Sequence, residues 1–199
     1  HLIALDMRSG PQHRHSMIDT LPMMSAQDHE DWLNRLRGLP EQLTQYQALL
    51  SEGISRDRTQ AQIVMSRVPS QIANLITDQA SDSPFYRAFA TMPEEIDPEI
   101  QIWLKSAAVA IIEEQINPAL RELLEFLESE YLPAARPPGI GALPGGKQVY
   151  SRLAQHFTTT ELTPDEIHEI GLREVARIRG EMETVIDTVG FDGDIAAFN

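Results

Sequence analysis

The stretch "DPEIQIWLKSAAVAIIEEQINPALRELLEFLESEY", Asp97 to Tyr131, decides the fold class. Asp97 can cap a helix whose first residue is Pro98, where a missing N–H costs nothing. Apolar residues then recur at helical spacing from Ile100 through Trp103, Ile111, Ile116, Leu120, Leu124 and Leu127. No alternating strand pattern competes. Pro118 interrupts the run; it lacks an N–H and its ring crowds the preceding turn, so a kink or break is predicted near Asn117.

Working outward, the same signals repeat. Ser25 can cap a helix with Asp28 at its third position, and Trp32, Leu33 and Leu36 give it an apolar stripe. Gly38 stops it, Pro40 opens the next, and Leu43, Tyr46, Leu49 and Leu50 carry that one to Gly53. Residues 59–79 read as two short helices split at Pro69, and Ser83-Pro84 starts a brief one. Residues 132–148, "LPAARPPGIGALPGGKQ", are irregular: they hold four of the 13 prolines and four of the 11 glycines. The stretch is too short and too apolar for a flexible spacer, so an ordered surface loop is predicted rather than a domain linker. A short helix over 148–156 follows. Thr163, Pro164 and Glu166 then make a capping box for a helix that ends at Gly190. The expected architecture is all-α: one mainly helical, bundle-like unit over 1–199, the N-terminal or middle part of a longer protein.

The totals exclude several functions. Sixteen basic residues stand against 30 acidic ones, a net charge of -14, and nucleic acids and anionic membranes both need a basic surface. With no cysteine, disulfides, thiolate catalysis and cysteine-ligated metal are excluded. No apolar run approaches the roughly 20 residues that span a bilayer. The chain opens on His1 rather than Met, which points to a terminus lying elsewhere.

His168-Glu169 on the last long helix resembles the start of a zinc helix, but such a helix needs a second histidine four residues on, and Leu172 stands there. His168 therefore reads as a helix surface residue and Glu169 as its solvated neighbour. His13 and His15 are two apart; read as part of a strand, they still lack the further partners that a metal site needs. His29 falls in a first helical turn and reads as solvated, and His156 suits a helix C-terminus. There is no G-x-S-x-G elbow, and "GIGALPGG" lacks the G-x-G-x-x-G order of a phosphate loop. No catalytic residue and no metal ligand is assigned to this chain. Gly145 and Gly146 would let a backbone approach another chain or a ligand closely, and Tyr150 could follow with a ring and a hydroxyl.

"LPGGKQVY" (143–150), "HFTTTELTPDEIHEIGLREVARIRGEM" (156–182) and "GFDGDIAAF" (190–198) closely resemble the bacterial family catalogued as domain of unknown function 885. "SPFYRAF" (83–89) and "EFLESEYLPAAR" (125–136) agree in order. The resemblance implies a helical fold similar to zinc-dependent peptidases of the thermolysin-related superfamily, and an exported, periplasmic or lipid-anchored location. The family's zinc motif, His-Glu followed by Pro-Gly-His-His, lies beyond the segment matched here, and this chain has no Pro-Gly-His-His. The resemblance thus implies no cofactor in this fragment, zinc in the full-length protein, and the remainder of the same polypeptide as the main partner. In the parent, zinc would polarise a peptide carbonyl and acidify a bound water, and the resemblance makes Gly145, Gly146 and Tyr150 candidates for lining the substrate cleft. The function expected is that of a non-catalytic scaffold portion of a zinc-dependent hydrolase, a peptidase acting on peptide substrates. The alternative is a helical binding or assembly module without enzymatic activity. Apolar faces left exposed on the long and last helices would favour homo-association.

Overall fold

The computed structural model describes residues 2–198; His1 and Asn199 lie outside the described residues. The fold is all-α, and the only β feature among the described residues is a single parallel bridge between Ala61 and Arg136. The chain forms two compact units, one reaching Pro144 and the other beginning at Gly145, so their boundary falls within the Pro/Gly-rich stretch 132–148.

In the first unit, the helices are α1 (Ala26–Arg37), α2 (Leu39–Ser55), α3 (Gln62–Met65), α4 (Val68–Ala73), α5 (Arg87–Ala90), α6 (Pro98–Ile111), α7 (Asn117–Phe126) and α8 (Leu132–Ala134). A 3₁₀ segment, Pro11–Thr20, precedes them. The last three share one helical path, and that path is the spine: α1 and α5 pack on α6, while α2 and α4 pack on α7. Leu33, Leu50, Phe89, Leu104, Ile112 and Leu127 are among the side chains that this arrangement removes from water. Each such burial contributes roughly 1.5–3 kcal/mol.

The predicted capping box of α1 is present. Ser25 Oγ accepts the Asp28 N–H (3.3 Å), and Asp28 accepts the Ser25 N–H (2.8 Å). The Ser25 hydroxyl, which donates to the Asp28 carboxylate (2.7 Å), and then the Ser25 N–H hold that carboxyl below its ordinary pKa. Pro40 is the second residue of α2, not the first. It has no N–H for the Leu36 carbonyl four residues back, so the ladder is cut there although Gly38 (φ −82°) stays right-handed. The split between α3 and α4 lies at Ser66-Arg67; Pro69 sits inside the first turn of α4, where proline is tolerated.

Pro118 does not break the long helix. A π turn, Ile112–Ile116, joins α6 to α7, and the Asn117 N–H reaches the Ile112 carbonyl five residues back. A second π turn, Leu127–Tyr131, joins α7 to α8, with the Leu132 N–H on Leu127. Each turn is followed after one residue by a proline, Pro118 and then Pro133. Widening the turn by one residue moves the carbonyl that a proline ring would strike, and no N–H is demanded of the proline. Trp103 is about half exposed (49 %), and Leu104 takes the buried position beside it.

The end of the spine is tied to the segment before α3. Tyr131, fully buried, accepts the Gln60 N–H on its hydroxyl (2.8 Å). Thr59 Oγ1 accepts the Arg136 N–H (3.0 Å), and the Gln62 N–H donates to the Arg136 carbonyl (2.9 Å). The Arg136 guanidinium donates to the carbonyls of Thr59 (2.9 Å), Pro137 (3.1 Å) and Gly139 (2.6 Å), bracing the start of the Pro/Gly-rich stretch.

The second unit holds α9 (Gly146–Thr158), α10 (Pro164–Thr188) and α11 (Ile195–Phe198), with α10 packed against both others. The Thr163–Glu166 capping box opens α10 as predicted. Gly190 (φ +71°) closes it: its N–H donates to Asp187, and the Phe191 N–H to Ile186. That pair of bonds is the Schellman arrangement, and its left-handed residue is why glycine stands there.

Candidate functional site

The three residues singled out from sequence fall together at the start of α9. Gly145 lies just before the helix with φ +72°, Gly146 is its buried first residue, and Tyr150 begins its second turn, about half exposed. A Cβ at Gly145 would meet only the Gln148 side chain, at 3.4 Å. Its left-handed backbone, not a crowded approach, therefore accounts for glycine at that position.

The histidines do not converge. His13 and His15 lie on the 3₁₀ segment rather than a strand; His13 Nε2 is 3.3 Å from the Met7 carbonyl and His15 Nδ1 is 3.1 Å from the Gln12 carbonyl. Burial lowers the His15 pKa, despite the bond to Gln12. His29 is not solvated: it is fully buried against Phe89, with Nδ1 2.8 Å from the Ser25 carbonyl and Nε2 unpartnered. Its position in a polar first turn hid this, because α5 covers that turn. His156 and His168 are exposed on α9 and α10, and Glu169 beside His168 is exposed as well. Among the described residues no three His, Asp or Glu side chains come together in a way that could hold a metal. The residues present therefore do not fit a zinc site.

The best-formed concavity lies elsewhere, at the elbow between α1 and α2, with a volume of about 360 Å³. The cut at Pro40 bends the chain away from α1, and Gly38 leaves the corner without a side chain. Trp32, Leu36, Leu39, Met17 and Phe85 give an apolar wall; Arg14, Arg35, Asn34 and Gln42 add polar groups. The Trp32 indole N–H is already spent on the Phe85 carbonyl (3.2 Å), which fixes the ring. Sequence spacing does not reveal this pocket: its residues come from three separated stretches that tertiary packing brings together.

An all-α protein without a metal-ligating cluster among its described residues is the class that this geometry defines. The chain belongs to the family described as "Bacterial protein of unknown function (DUF885)", whose profile matches residues 3–199. A crystal structure of a "putative lipoprotein" from Colwellia psychrerythraea shares the fold, with a TM-score of 0.72 and 23% identity. The match covers 96% of this chain and 34% of that one, so the chain spans about a third of that relative's length. No curated protein matches the chain. No helix among the described residues is long and apolar enough to cross a membrane.

Proposed function

We propose that this chain is the non-catalytic helical framework of a longer, exported hydrolase, a zinc-dependent peptidase whose metal ligands come from polypeptide outside these residues. The observation that carries this reading is the face of α10. Ile170, Val175, Ile178, Met182, Val185 and Val189 are all exposed, within an arc of about 140° at 100° per residue. A stripe that wide ordinarily faces a core, which suits a framework for further polypeptide. The length of the Colwellia relative supports the same reading, and its description supports export.

The test is to express the longer reading frame and the 199-residue chain side by side. Stoichiometric zinc and chelator-sensitive peptide cleavage by the longer protein, with neither in the chain, is expected. Cleavage by the chain alone, or a longer protein without zinc or hydrolysis, would refute the proposal. The last outcome would favour a helical binding or assembly module, for which the same exposed face would be the contact surface.

A further inference from the structure

We propose that the pocket at the α1–α2 elbow binds a small apolar monocarboxylate, held by Arg14 and Arg35 over an apolar floor that includes an edge of Trp32. This inference is independent of the hydrolase reading. The chain has 30 acidic and 16 basic residues, yet no Asp or Glu lines this pocket and two arginines do. Among the described residues neither arginine makes an ion pair; the four pairs formed involve Arg56, Arg87 and Arg177. Two arginines without an ion pair on the lining of one concavity favour an anion there, and the planar fork of a guanidinium matches a carboxylate.

The neighbouring amides reinforce that polarity. Gln42 Oε1 accepts from Arg14 Nε (3.2 Å), and Asn34 Oδ1 accepts from Arg37 Nη1 (2.6 Å). Each amide oxygen is thereby held by an arginine, which leaves the NH₂ end of each amide free to donate. The remaining lining is apolar: Met17 is half-buried, and Trp32, Leu36, Leu39 and Phe85 form a floor of buried side chains, with the Trp32 N–H already committed. Donors beside an apolar wall select a ligand with one negative end and a hydrocarbon body. The volume, about 360 Å³, is that of a small-molecule site.

The experiment uses the 199-residue chain carrying Trp103→Phe, which leaves Trp32 as its one tryptophan. Trp103 is half exposed and tolerates the change. Hexanoate, 3-phenylpropanoate, 1-hexanol, inorganic phosphate and N-acetylleucine are titrated while Trp32 emission is followed. Hexanoate or phenylpropanoate should give a saturable change with half-saturation on the order of 1 mM, ordinary for ligands of this size. Arg35→Gln, on an exposed side chain, should weaken it about ten-fold or more while the circular dichroism is unchanged. N-acetylleucine bound in place of hexanoate, with the same dependence on Arg35, would identify a peptide C-terminus as the source of the carboxylate. Hexanol or phosphate binding as tightly as hexanoate would overturn the proposal. So would unchanged affinity in both Arg35→Gln and Arg14→Gln, or no saturable signal up to about 20 mM.

Discussion

Tyr131→Phe isolates one hydrogen bond at the end of the spine. The hydroxyl accepts the Gln60 N–H at 2.8 Å, and the side chain is fully buried. Phenylalanine keeps the ring and its tilted contact with Phe126 (6.4 Å between centroids), so little packing is lost. What remains is a half-buried backbone N–H without its acceptor, a loss of about 1–2 kcal/mol. For a protein of this size that lowers Tm by roughly 3–6 °C. Both tryptophans, Trp32 and Trp103, lie in the unit ending at Pro144, so urea unfolding followed by tryptophan emission reports that unit alone. Tyr46→Phe serves as the control: Tyr46 is half-buried, and among the described residues its hydroxyl makes no hydrogen bond, so a change under about 0.5 kcal/mol is expected. If Tyr131→Phe behaves like Tyr46→Phe, the tie between Gln60 and the spine contributes nothing and the reasoning fails.

Gly10→Ala should cost about 2 kcal/mol in the same assay, because φ is +148° and a Cβ would come within 2.2 Å of Leu5 Cδ1 and 2.4 Å of Gln12 Oε1, both on buried residues. Acid should loosen both capping boxes. Asp28 and Glu166 have folded pKa values below their unfolded ones, so their stabilisation is present above about pH 4–4.5 and is lost as pH falls through the lowered values; helicity at 222 nm reads this between about pH 5 and 2.5. His15, whose folded pKa is also lowered, is held neutral, so its destabilisation of the fold begins earlier, as pH falls below about 6.5; His15→Gln should flatten that part of the profile. Val175→Lys, on an exposed α10 position, should reduce self-association of the chain by light scattering and lower its binding of a hydrophobic dye; a chain already monomeric and dye-silent would contradict the exposed-face argument.

Caps and stops were legible in the residues themselves, because each is a local bond between near neighbours. Ser25 with Asp28, Asp97 with Pro98, Thr163 with Glu166, and Gly190 all act where the sequence places them. Phase was harder to read. Trp103 belongs to no buried stripe with Leu104, Ala108 and Ile111, but its size makes it look like core. The π turns were invisible, because Pro118 signals that something must yield without saying whether the helix breaks or widens. Arg136 was equally opaque: its three carbonyl partners are set by tertiary approach, not by spacing. Gly145, Gly146 and Tyr150, marked in the sequence, fall at the start of α9, whereas the α1–α2 pocket depends on the remote Arg14 and Phe85, which no spacing connects.

The paired π turns bear on how related sequences should be aligned. Each holds one surplus residue that the widened turn absorbs, so a chain lacking it can run a plain α turn with the downstream helix faces kept. A one-residue gap opposite 112–116 or 127–131 would therefore signal a widened turn closed to an α turn inside a continuous rod, not a loop of variable length. Relatives that lack the residue should lack the following proline as well, or should compensate for it within the next few turns.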